Sequence, residues 1–207
     1  MKVIAVSGAQ GSGKTTLLEK LKTKDIQVDD FKVSRTVQQK MGWASLDEVY
    51  NSPTKMMQFQ EQILHAKFAH DKQLAAKAGD DVILVERSFT DIHAYAELWF
   101  DRMGMRLNPS YNQWISSYKM TCLLCQTLYS GIIMVPLMKN IQWEDDPKRA
   151  AKQDAEICYG KMTSFITDFN LADSSVPVHT IENESLTKRV NETLKFLKTF
   201  STKEISQ

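Results

Sequence analysis

Apolar positions along this chain follow two rhythms, and the rhythms alternate. Short unbroken runs stand at Val3–Val6, Val82–Val85 and Ile132–Val135, the pattern of strands buried on both faces of a parallel sheet. Ile26–Phe31 and Val176–Ile181 read as a second and a fifth strand. Between these runs the apolar spacing changes to three and four. Leu17, Leu18 and Leu21 follow the first strand, and Met56, Phe59, Ile63, Ala66 and His70 mark a long helix that Ser52-Pro53 opens and Gly79 ends. Shorter helical pieces are expected over Ser34–Met41, closed by Gly42, and after Ser45, which forms a capping-box pattern with Glu48. Further helices are expected over Thr90–Phe100, from Asn108-Pro109 to Gly131, from the polar stretch Lys139–Arg149 to about Phe169, and along Leu186, Val190, Leu194 and Leu197. Strands alternating with helices predict an α/β fold, a parallel sheet covered on both faces.

The first strand runs into Gly8-Ala9-Gln10-Gly11-Ser12-Gly13-Lys14-Thr15-Thr16. Gly8 through Thr15 fits G-x-x-x-x-G-K-[ST], the phosphate-binding P-loop, in the strand-to-helix context that motif requires. Glycines let the backbone turn tightly and aim N–H groups at phosphate oxygens, and the following helix adds the positive end of its dipole. Gly8, Gly11, Ser12, Gly13, Lys14, Thr15 and Thr16 are therefore the candidate nucleotide cradle. Lys14 is placed to reach the β- and γ-phosphates, and the Thr15 hydroxyl to ligate Mg²⁺.

Ligands in such sheets sit outside the carboxyl ends of the strands. Two further groups fall at expected carboxyl ends: Asp29-Asp30 after the second strand and Glu86-Arg87 after the third. Glu86 is the candidate to complete the Mg²⁺ site. Arg87 is the candidate to hold an acceptor's oxygen or phosphate, and Asp30, or its neighbour Asp29, the candidate base.

Composition narrows the classes. The 207 residues, 43% hydrophobic and 25% charged, suit one globular domain spanning 1–207. A net charge of +1 provides no broad field for gripping a nucleic-acid backbone, which disfavours a scanning DNA binder but not action at a strand end. Met120–Met138 lacks charge, yet Gln126, Ser130-Gly131 and Pro136 make it a helix end and a buried strand rather than a membrane span. Cys122 and Cys125 share a helical seam with Tyr111, Trp114, Tyr118 and Tyr129, so this C-x-x-C reads as core. Three free thiols and a chain that begins directly with its first strand lead to the expectation of a cytoplasmic protein; the reading accommodates an oligomer.

Glu86-Arg87-Ser88, with Asp91 and Ala94-Tyr95 downstream, resembles the Glu-Arg-Ser segment of deoxynucleoside kinases and the Asp-Arg-Tyr segment of thymidylate kinases. Ile141-Gln142-Trp143-Glu144-Asp145-Asp146-Pro147-Lys148-Arg149 resembles the Trp-x-x-Asp-Gly-x-Arg lid of ribosylnicotinamide kinases and related P-loop kinases. The resemblance implies a three-layer P-loop NTPase sandwich with strand order 2-3-1-4-5 and a short lid at about 139–152. It implies an ATP- and Mg²⁺-dependent kinase of nucleotide metabolism that moves the γ-phosphoryl group to a small nucleoside or nucleotide. The ATP base would lie near Glu182–Glu184. Arg149, on one helix face with Lys152, would neutralise charge on the transferred group. Two departures stand out: Pro147 replaces the lid glycine, and Lys32, three residues before Arg35, stands where relatives often carry a Glu.

Two competing classes are a kinase acting on nucleic acid, at a strand end or modified base, and a regulatory P-loop NTPase. For the latter, Asp101-Arg102-Met103-Gly104 matches a GTPase D-x-x-G, but it follows a helix rather than a strand, and no Asn-Lys-x-Asp occurs.

Overall fold

β1 (Lys2–Ser7) lies at the centre of a five-stranded sheet in the computed structural model, which describes residues 1–24, 26–45, 47–77, 79–138, 152–172 and 175–200. It pairs in parallel with β3 (Val82–Glu86) on one side and β4 (Gly131–Met134) on the other. β2 (Gln27–Asp29) and β5 (Val178–Thr180) form the edges, giving the order β2-β3-β1-β4-β5 that the resemblance implied. The register sets Val6 opposite Glu86 and Ser7 opposite Met134, so the carboxyl ends of the three central strands finish level with one another.

Alternation along the strands divides the core between two helical layers. Ile4, Val6, Leu84, Ile133 and Val135 face Leu17, Leu18 and Leu21 of α1 (Lys14–Lys22) and Val190, Leu194 and Leu197 of α8 (Leu186–Lys198). Val3, Ala5, Ile83, Val85 and Ile132 face the other way, toward α4 (Pro53–Ala75), α5 (Phe89–Arg102), α6 (Pro109–Gln126) and α7 (Lys152–Leu171). α2 (Val33–Lys40) and α3 (Asp47–Tyr50) connect β2 to α4. Each buried Leu or Ile contributes roughly 1.5–3 kcal/mol, so the two apolar faces of β1 hold the strand in place from both sides.

Element boundaries differ from the periodicity at several places. β2 stops at Asp29, because the Asp29 carboxylate takes the Phe31 N–H at 3.0 Å and turns the chain out of the ladder. α6 ends at Gln126: the N–H groups of Leu128 and Tyr129 reach back to Cys125 and Gln126, and Ser130 N–H then joins Val3 on β1. Tyr129 drops inward and donates to Asp71 at 2.7 Å, completing a buried Lys67–Asp71–Tyr129 group that no periodicity announces. A short 3-10 turn at Met105–Leu107 follows Gly104, whose φ is 69°. Cys122 and Cys158 are buried and Cys125 partly so; burial pushes all three thiols up, Cys158 to about 12. Among the described residues no helix is long and apolar enough to cross a membrane.

His93 on α5 is buried against Phe165, 5.2 Å between rings, and neither ring nitrogen has a hydrogen-bond partner. Glu97 at 3.8 Å is beyond hydrogen-bond reach. Burial first, then the charges of Lys119 and Lys161, lowers its pKa from 6.5 to about 3. Between those limits the unfolded chain takes up a proton that the folded chain refuses, so His93 removes stability as pH falls, by about 1.4 kcal/mol per unit over that window. Urea midpoints measured from pH 7 to pH 4 should fall less steeply for His93→Leu than for the wild type. Parallel pH profiles would show that His93 is not a source of the acid sensitivity.

Candidate functional site

Beyond Ser7 the chain must turn without side chains in its way. A Cβ on Gly8 would stand 2.5 Å from the Val135 carbonyl oxygen and 2.8 Å from Ser12 Oγ, so only glycine fits. Gly13, the N-cap of α1, has φ 84°, in the left-handed region that glycine enters at little cost. The loop between them is braced from below by distant elements. Gly8 N–H donates to Asp91 Oδ1 at 3.3 Å, and Gln10 N–H to the Tyr95 hydroxyl at 2.9 Å. Asp91 Oδ2 also takes the Ser88 N–H at 3.0 Å in a capping box that starts α5. From α8, buried Arg189 donates to the carbonyls of Ser12 and Asn183, each at 2.8 Å, and to that of Pro136.

Lys14 is buried inside the loop, where its Nζ donates to the carbonyls of Gly8 and Ala9. Burial above all, with the Arg87 charge adding to it, lowers the ammonium to about 8 against the opposing pull of Asp91 and Glu86. Thr15 and Thr16 are exposed on the same wall. Facing them across a crevice of about 710 Å³ is the segment Phe31 to Arg35, with Glu86 and Arg87 between the two walls.

Glu86 accepts from Lys32 Nζ at 2.5 Å. Burial opposes its ionisation, but the hydrogen bond and charge of Lys32, with Arg87 and Lys14, outweigh that and hold the carboxyl below its usual range. Among the described residues Arg87 is the one non-glycine with positive φ, 67°. That conformation costs an L-residue roughly 1–2 kcal/mol and collects at functional sites. Here it follows from position: the Arg87 N–H still bonds Val6 as the strand ends, while the guanidinium lies over the Tyr95 ring at 4.9 Å. Asp29, which does not itself line the crevice, accepts from His70 and from the Phe31 N–H at 3.0 Å each, and the Phe31 ring of the facing wall stacks on His70 at 4.1 Å. Lys32 is the N-cap of α2, and no side chain caps that helix's first turn.

The family model described as AAA domain matches residues 3–189. The chain belongs to the AAA domain family. Among solved structures this AAA domain is similar to a NadR protein crystallised in complex with NR, at 14% identity and a TM-score of 0.66, covering 100% of this chain and 52% of that one. It is also similar to thymidylate kinase from Candida albicans, at 11% identity and a TM-score of 0.60, covering 96% and 91% of the two chains. The AAA domain thus spans about half the length of the NadR protein, and shares its fold and that of the thymidylate kinase. No curated protein matches the sequence.

The residues of the AAA domain's crevice suit a phosphate and a hard cation. Ser12 Oγ is buried in the loop without a partner. The first-turn N–H groups of α1 have no acceptor within the helix, and Lys14 adds a cation beside them. Thr15 and Glu86 supply oxygen donors of the kind Mg²⁺ takes.

Other sequence-based candidates lie elsewhere. Asp30 is a correction: its carboxylate pairs with Lys22 at the end of α1 at 2.8 Å, its side chain is 72% exposed, and it does not line the crevice. Arg149 and the lid up to residue 151 fall outside the described residues; Lys152 begins α7 on the surface, 3.8 Å from Glu156. Glu182–Glu184 do not line the crevice either; the N–H groups of Glu182 and Asn183 are taken by Glu192. Asp101 closes α5 and pairs with Lys161 at 2.8 Å, so the D-x-x-G match is no phosphate site. The bracing roles of Asp91, Tyr95 and Arg189 went unread in the sequence. Ser88-x-x-Asp91 carried a capping signal, whereas Arg189 carried none.

The crowding at Gly8 gives a direct expectation. Gly8→Ala must displace the Val135 carbonyl or the loop, at about 1–3 kcal/mol. Thermal melts should show a lower transition than wild type and a smaller rise on adding ATP. An unchanged melt and ATP response would place the loop elsewhere.

Proposed function

We propose that this AAA domain is an ATP- and Mg²⁺-dependent phosphotransferase that moves the γ-phosphoryl group of ATP to a small nucleoside or nucleotide in the cytoplasm. The observation that carries this reading is a crevice with two walls. One is the P-loop; the other, Phe31 to Arg35, stands across a space of about 710 Å³ with Glu86 and Arg87 between them. A simple NTPase needs only the first wall. The fold shared with a NadR protein in complex with NR and with a thymidylate kinase supports the same reading.

In this account the chain 1–207 acts as one kinase domain with a lid at about 139–152. The loop N–H groups and Lys14 bind the β- and γ-phosphates and keep them in line with the second wall. Thr15 and Glu86 would hold Mg²⁺, whose charge offsets that of the phosphate oxygens. Arg87, fixed over Tyr95, orients the acceptor, and Arg149 on the lid neutralises charge as the phosphoryl group transfers.

A labelled-ATP transfer screen over nucleosides, nucleotides, ribosylnicotinamide and DNA ends tests the reading. Label on a nucleoside or nucleotide is the expected result. Label on DNA alone would move the protein to the nucleic-acid kinases, and release of phosphate with no labelled acceptor would make it a plain NTPase.

A further inference from the structure

Three strand-end segments meet on one side chain of the last helix. Arg189, in the first turns of α8, is 2% exposed. Each of its three side-chain nitrogens donates to a main-chain carbonyl. Nη1 reaches Ser12 after β1 at 2.8 Å, Nε reaches Asn183 after β5 at 2.8 Å, and Nη2 reaches Pro136 after β4 at 3.4 Å. The Arg189 N–H bonds the Ser185 carbonyl at 2.9 Å, so the residue that carries this fork is itself fixed in the helix. A planar guanidinium can serve several acceptors in a set geometry, which a point ammonium cannot.

The bond to Ser12 acts on the far side of the same peptide. A trans peptide is planar, so its C=O and N–H point in opposite directions. The Ala9–Gln10 peptide of the loop follows this rule: Lys14 Nζ donates to the Ala9 carbonyl at 3.0 Å while the Gln10 N–H points to the Tyr95 hydroxyl at 2.9 Å. In the same way, holding the Ser12 carbonyl on Arg189 turns the Gly13 N–H away from α8. Gly13 lines the crevice and caps α1 with φ 84°. A glycine there has no side chain to fix its peptide, so the orientation rests on what holds the Ser12 carbonyl. An N–H at the start of a helix, aimed outward, is a donor for phosphate oxygens.

Resting on the nucleotide-binding half of the phosphotransferase reading, we propose that Arg189 is a positioning residue for the phosphates of the donor nucleotide. It touches no phosphate itself. By holding the Ser12 carbonyl it sets the Gly13 N–H as a phosphate donor, and by holding Asn183 and Pro136 it ties that setting to the segments after β5 and β4. Phosphate affinity then depends on a side chain of α8.

Calorimetric titration with pyrophosphate and with ATP, each with Mg²⁺, tests this on the wild type, Arg189→Met, Arg189→Lys and Glu192→Ala. Methionine keeps an unbranched buried stem and removes the donors. Glu192 secures the β5–α8 corner through the N–H groups of Glu182 and Asn183 and the His179 ring, so Glu192→Ala loosens that corner and leaves the Ser12 carbonyl on Arg189. Arg189→Met and Glu192→Ala should both melt lower than the wild type. Only Arg189→Met should bind pyrophosphate and ATP more weakly, by about tenfold or more, as expected for the loss of a charged hydrogen bond. Arg189→Lys should show the same selective loss in smaller measure, and it decides the matter if the methionine variant does not fold. Unaltered pyrophosphate affinity in the Arg189 variants, or an equal loss in Glu192→Ala, overturns the inference. A wild type that binds no pyrophosphate overturns both this inference and the phosphotransferase reading. The expected binding pattern without phosphoryl transfer to any acceptor would support the inference while removing that reading.

Discussion

Lys14→Ala is expected to yield a folded protein whose phosphoryl transfer falls by about 10²–10³-fold, the cost of removing one preorganised donor from a shielded site. The magnitude rests on burial. Lys14 sits inside the loop at 6% exposure, and its ammonium is lowered to about 8, so it is already stripped of water before any phosphate arrives. A charge in that state interacts with phosphate oxygens far more strongly than a solvated surface lysine would. The same burial makes it a cost to the free protein, so its removal should not lower the melting temperature measured without nucleotide. The ATP-induced rise in melting temperature should shrink with it. Near-normal turnover in this variant would show that the loop is not where the chemistry occurs.

Arg87 offers a second large effect with an internal control. Arg87→Ala should impair transfer to the acceptor while an ATP analogue still binds by calorimetry. Arg87→Lys should be nearly as poor, because a point charge cannot replace a fork of donors. Backbone and side chain can then be separated. At φ 67° an alanine keeps the strain of the arginine, whereas a glycine releases it. Arg87→Gly should therefore be more stable than Arg87→Ala by about 1 kcal/mol, yet no better as a catalyst. Transfer at wild-type rates in all three variants would remove Arg87 from the acceptor site.

What was legible in the sequence is what local chemistry dictates. The P-loop announces itself because glycines, Lys14 and Thr15 must occur at fixed spacing after an apolar strand. The runs at Val3–Val6, Val82–Val85 and Ile132–Val135 follow from burial on both faces of the sheet. Glu86 and Arg87 line the crevice because they stand where β3 ends. The failures share a different cause: contacts between residues far apart in the chain. Neither Asp29 nor Asp30 lines the crevice, because Lys22 draws Asp30 outward and His70 holds Asp29. Arg189 reaches the Ser12 carbonyl across 177 positions, and Lys32 meets Glu86 across 54. No periodicity within α8 or α2 encodes those meetings.

Phosphorus NMR of the wild-type protein with ATP, Mg²⁺ and a mixture of nucleosides and nucleoside monophosphates tests the central claim most directly, because it follows where the γ-phosphorus goes. The account predicts that the ATP γ-signal disappears as ADP and a newly phosphorylated acceptor grow in equal amounts, and that Lys14→Ala stops the conversion. Inorganic phosphate growing in place of a phosphorylated acceptor, or conversion continuing unchanged in Lys14→Ala, would contradict it.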